Sequence, residues 1–224
     1  MKFIPQSIAL IILLLCAACS SFQIAKERIS VDLRGQRMTI GTAKAQFDKF
    51  LGIGGLQKQD ITVNYFPREN VVCLQYRVNL ITHYQFWSAD NRAAFIGALE
   101  NYKRDYAQKT LSRSMRAKRS YGTVKGYVIW ETFQKSMQGN SYPNIELGYY
   151  FRNRAPYFAL TQREAPNENE KTKSMEKNSP NFIIYFTRAQ AEVLAEIFAP
   201  EYLLGLSREE SPSADAVEID EYDN

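Results

Sequence analysis

His83 is the only histidine of the 224-residue chain, so any Ser-His or Cys-His catalysis rests on one imidazole and a multi-histidine metal site is excluded. The thiol that shares its side of an extended pattern is Cys73. Ten residues of one strand span ~33 Å, far beyond hydrogen-bond reach, so this couple fails unless the strand folds back on itself. The alternation puts His83 on an open face in a row with Arg77, Asn79 and Gln85, as a solvated strand histidine. Glu131 and Glu146 fall on neighbouring expected strands, where they would face each other across a hairpin as an acid/base pair. The chain has no G-x-S-x-G, Walker A, H-E-x-x-H or EF-hand pattern, and Gly52-Ile-Gly-Gly55 lacks the third glycine of a dinucleotide loop because Gln57 stands there. No catalytic residue, metal site or cofactor is therefore assigned.

Binding chemistry is better represented. From Lys103 to Lys125 there are eight lysines or arginines against one acid, Asp105. Arg113, Arg116, Lys118 and Arg119 in this segment, with Arg152 and Arg154 further on, are the candidate binding residues. Such a segment is a solvated helix end and loop, a site for anionic lipid headgroups, or the partner of an acidic tail: residues 207–224 carry seven acids against Arg208. Tyr149, Tyr150 and Tyr157 around the Arg152 to Arg154 turn would make a cationic, aromatic rim for an envelope protein, both residue types being enriched at interaction hot spots.

The elements that position these residues follow from periodicity. Val72, Leu74, Tyr76, Val78, Leu80, Tyr84 and Phe86 occupy even positions, which predicts one long antiparallel strand of about 50 Å, bent near its middle, with Ile61, Val63 and Tyr65 as hairpin partner. Ala43 to Leu51 reads as weakly helical. Ser88 caps a helix whose stripe is Phe95, Ala98, Leu99, Tyr102 and Tyr106, and Thr187 caps a second with Ala191, Leu194, Ala195 and Phe198, ending at Pro200. Val124 to Phe133, Ile145 to Phe151, Tyr157 to Thr161 and Phe182 to Phe186 read as strands, and residues 162–181 as a mobile loop with little to bury. The fold class is α+β, an antiparallel sheet packed by two capped helices. Its halves, 28–110 and 121–206, both run from hairpin to last strand to capped helix, as a tandem repeat or as two uses of one packing solution.

Residues 1–18 place Lys2 before an apolar stretch of 11 residues, Ile8 to Ala18, too short to span a bilayer and the right length for a signal peptide. With Cys19-Ser20-Ser21 following, Ala17-Ala18-Cys19 resembles the lipobox of bacterial lipoprotein precursors. The resemblance implies type II signal peptidase cleavage, acylation of Cys19, for instance with palmitate, and a place on a membrane of the bacterial cell envelope. Cys16 stands where that family carries leucine, which keeps type I cleavage after Ala18 or Ser20 open. The Cys16-x-x-Cys19 spacing lies inside an apolar leader rather than in a βαβ unit, so it is not a redox motif. Cleavage before Cys19 leaves Cys73 as the one unmodified thiol, without an intramolecular disulfide. Residues 19–27 would be the lipidated tether, 28–206 a single domain and 207–224 a disordered acidic tail.

Mean hydropathy of −0.37 and the lack of any run of about 20 apolar residues exclude a polytopic membrane protein. The sequence thus predicts a lipid-anchored, non-catalytic binding module outside the cytosol, with the membrane as partner and no nucleic acid. The alternatives are an extracytoplasmic hydrolase-type enzyme using His83 or a carboxylate pair, and a tandem-repeat nucleic-acid binder, against which the leader argues.

Overall fold

The computed structural model describes residues 37–48, 55–78, 80–114, 119–131 and 138–209. Ten antiparallel strands form one sheet that curls into a half-barrel. They are β1 (Met38–Asp48), β2 (Leu56–Phe66), β3 (Val71–Val78), β4 (Ile81–Trp87), β5 (Ser120–Lys125), β6 (Tyr127–Glu131), β7 (Gln138–Ser141), β8 (Asn144–Arg152), β9 (Ala155–Gln162) and β10 (Phe182–Phe186). Helix α1 (Ala89–Ala107) follows β4, while α2 (Arg188–Phe198) and α3 (Pro200–Glu209) follow β10. The α+β architecture with two capped helices is as expected; α3 is an addition.

The sheet runs β5-β8-β9-β10-β1-β2-β3-β4-β6-β7. Its two end strands belong to one ribbon. Only Gly126 separates β5 from β6, and Tyr142-Pro143 separates β7 from β8. The pairing Lys125 with Asn144 continues through a Gly126 N–H bond to the Pro143 carbonyl into Val128 with Ser141. One arm of this bent ribbon joins β4 and the other joins β9. The single strand expected from Val124 is therefore broken, because the ribbon must serve both flanks of the curl.

Three further expectations are corrected. Ala43 to Asp48 is strand, not helix: Ala43, Ala45 and Phe47 alternate into the core and every residue from Ala43 to Asp48 has a partner on β2. The 72–86 segment is a hairpin rather than one bent strand. Val78 pairs with Ile81 across a two-residue turn, with Leu80 in the left-handed region at φ 69°. Pairs across such a turn differ in parity, so the inner face passes from Val72, Leu74, Tyr76 and Val78 to His83, Gln85 and Trp87, and Tyr84 and Phe86 turn outward. The segment expected to be a mobile loop with little to bury is packed. Asn167, Thr172 and Ser179 are buried, and the segment covers the outer edge of β7: Glu168 N–H donates to the Asn140 carbonyl, and Asn169 and Thr172 side chains donate to that of Gln138. The expected tether, residues 19–27, and the tail from residue 210 lie outside the described residues.

The caps hold as read: Ser88 Oγ accepts the Asn91 N–H, and Thr187 with Gln190 forms a reciprocal capping box. Phe95 and Phe198 meet at 5.1 Å and share contacts with Trp87, so α1 and α2 close one core on the inner face of the sheet. A buried polar chain ties the two flanks of the curl: Trp87 donates to Gln85, Gln85 to Gln162 at 3.2 Å, and Gln162 to the Pro180 carbonyl.

Candidate functional site

The residues that could do chemistry are dispersed. His83 is not solvated but 3% exposed. It stacks on Tyr76 at 5.5 Å with Phe182 edge-on at 4.9 Å, and burial pushes its pKa down to about 4. The hairpin does fold Cys73 back toward β4, yet the couple still fails. Cys73 pairs with Phe86 in an outer cluster with Phe66, Val71 and Ile129, whereas His83 faces the inner core. Burial also raises the Cys73 thiol well above its ordinary value, so it stays protonated and unreactive. Glu131 and Glu146 lie on β6 and β8, which are not neighbours. Glu131 accepts from Tyr84 and Gln138, and Glu146 pairs with Arg163. Among the described residues no group of three or more His, Cys, Asp or Glu side chains could hold a metal ion.

The binding candidates come together in part. Arg113, Arg119, Arg152 and Arg154 converge at the end of the body marked by the β8–β9 turn. Arg113 donates to the Arg154 carbonyl and lies 5.3 Å from the centre of the Phe151 ring. Arg119 donates to the carbonyls of Arg113 and Ser114 and sits 5.9 Å from the Tyr150 ring. Arg152 pairs with Asp48 and covers Tyr185 at 5.2 Å, and the Tyr185 hydroxyl donates to the same carboxylate. Ser112 N–H donates to the Tyr149 hydroxyl and Tyr121 to Asp105, which holds the 111–114 segment against this rim. Asn153 and Arg154 adopt positive φ, 48° and 69°, so the two-residue turn pushes the exposed Arg154 outward. Arg116, Lys118 and Cys19 lie outside the described residues.

Arg92 escaped the sequence reading. It extends the α1 stripe at spacings 92, 95, 99, 102, and that continuity was the available signal. The side chain is 3% exposed. Its Nη1 donates to the carbonyls of Asn70 (2.8 Å) and Trp87 (3.0 Å), and Nη2 to Asn70 Oδ1 (2.7 Å). Asn70 presents both oxygens because φ 51° closes the β2–β3 turn there.

One curled antiparallel sheet, packed by helices on its inner face and edged by an arginine and tyrosine rim, defines the class: an α+β half-barrel without a metal cluster among its described residues. The family model described as "Uncharacterised Treponema protein" matches residues 30–204, and the chain belongs to that bacterial family. No curated protein and no solved structure matches it.

Proposed function

We propose that the protein is exported, anchored to a membrane of the cell envelope by a lipid on Cys19, and acts there as a non-catalytic binding module. The observation that carries this reading is the 11-residue apolar stretch ending in Ala17-Ala18 directly before Cys19. Membership of a bacterial family supports it. No described helix is long and apolar enough to cross a membrane, so in this reading the attachment comes from the leader.

The last residue of β1, Asp48, pairs with Leu56 and carries Arg152 of the rim. In this reading the rim is the surface offered to an envelope protein or to anionic headgroups.

Detergent phase partitioning of wild type and Cys19→Ser tests the anchor. Wild type is expected in the detergent phase with a mass increment at the mature N-terminus, and the variant in the aqueous phase. Detergent partitioning that persists in the variant removes the lipoprotein reading.

A further inference from the structure

At the end of the body where β1 begins, α1, α2, α3 and the β2–β3 turn line an open cavity of about 550 Å³. Its wall is apolar: Tyr65, Ala93, Ile96, Phe198, Leu203 and Leu204 line it. The exception in charge is Arg92. A guanidinium has five N–H donors. Asn70 takes one from each terminal nitrogen through its two oxygens and Trp87 takes the second from Nη1. One Nη2 hydrogen and the Nε–H remain, and Nε is buried with no acceptor. These two are the parallel donors of the side edge, the fork that fits both oxygens of a carboxylate or phosphate. Among the described residues Arg92 is met by neutral oxygens and by no carboxylate.

A buried guanidinium met by neutral oxygens attracts an anion, and an apolar cavity beside it admits an apolar body. We infer that the cavity binds an amphiphile with an acyl-type chain and a single acid head, the head seated on Arg92 and the chain along Phe198, Leu203 and Leu204. A neutral chain leaves the side-edge fork unmet, and a small anion leaves the apolar wall dry and empty. Both features together select the acid amphiphile. The inference stands apart from the anchoring reading, since it uses described residues alone.

Isothermal titration calorimetry on the full chain carrying Cys19→Ser, which can bear no acyl group there, compares decanoate, decyl phosphate and decanol. At least one acid is expected to bind at one site per chain, roughly tenfold or more tighter than decanol. Decanoate binding more tightly assigns a carboxylate head, decyl phosphate a phosphate head. Ala93→Trp, an exposed position on the cavity wall, is expected to abolish binding with the unfolding midpoint unchanged, and Arg92→Lys, which loses the fork and keeps the charge, to weaken it about tenfold. Equal affinity for decanol, binding that survives Ala93→Trp, or no binding of either acid overturns the inference. Should Arg92→Lys fail to fold, the decanol comparison and Ala93→Trp still decide.

Discussion

Where α1 begins, Arg92 is buried among carbonyl oxygens and apolar side chains; beyond its end, Arg113, Arg119 and Arg152 lie across tyrosine and phenylalanine rings, with Arg154 exposed at the β8–β9 turn and Asp48 paired to Arg152. On the inner face of β4 His83 is buried too, in a stack of aromatic rings. The contrast follows from proton affinity. Arginine cannot shed its proton, so an interior arginine must be met by acceptors, and the β2–β3 turn and the end of β4 deliver three oxygens. Histidine can become neutral and so tolerates rings as neighbours. The arginines of the rim also meet oxygens, but they are partly or fully exposed, and the heads of Arg113, Arg119 and Arg152 rest on ring faces. One end is thus built to hold a charge and the other to display several.

Arg92→Met should separate the two ends most sharply. It strands two carbonyls and the Asn70 side chain, and we expect a loss of about 4 kcal/mol in urea unfolding. A loss below about 1 kcal/mol would mean that Arg92 is not what holds the β2–β3 turn to α1.

The next effect belongs to His83. Its pKa in the folded chain, about 4, lies below the ordinary 6.5, so between these values the unfolded chain takes up a proton that the folded chain refuses. Stability is therefore full above about pH 6.5 and falls on acidification toward pH 4, by at most about 3 kcal/mol. His83→Leu should flatten the profile of unfolding free energy across that window. An equally steep profile in the variant would assign the acid loss to other groups.

The legibility of these features in the sequence divides along the same physics. Caps are local: Ser88 and Thr187 each need only a side-chain oxygen three residues from an N–H, and both were readable. The apolar alternation of β8 and the stripe of α1 were readable for the same reason. The β3–β4 turn was not, because a two-residue hairpin turn usually declares itself with glycine, and here Leu80 takes the positive φ. Missing it reversed the faces of His83, Tyr84 and Phe86 at one stroke, while Cys73, ahead of the turn, stays on the outer face. The 163–181 segment was misread because its asparagines and threonine bond to the main chain of β7, a contribution that hydrophobicity does not register. Arg113, Arg119, Arg152 and Arg154 were legible as charge, but their convergence needs β8 and β9 folded against the end of α1. Arg92 was hidden as one more charged helical residue among several.

At the rim, Asp48→Ala removes the carboxylate that Arg152 and Tyr185 share. Both partners of the ion pair are about two-fifths exposed or nearly so, and screening by water limits the loss to about 1 kcal/mol. A loss as large as that of Arg92→Met would erase the distinction between a held charge and displayed ones.

The smallest effect on stability is expected for the double variant Arg113→Ala, Arg154→Ala. Both side chains are exposed, so the cost should stay near 0.5 kcal/mol in the same urea assay. Its effect on association should be larger than its effect on folding. If these residues meet an anionic surface, retention of the Cys19→Ser chain on phosphatidylglycerol vesicles should fall in the double variant. In the parent it should also weaken as salt rises, since mobile ions screen exposed charges beyond about 10 Å at 0.1 M. Retention indifferent to salt would remove lipid as the partner of the rim and leave an envelope protein, recognised through Tyr150 and Tyr157 as much as through charge, as the surface it faces. The sign of the salt response therefore decides between charge and ring contact as the means by which this end of the molecule is read.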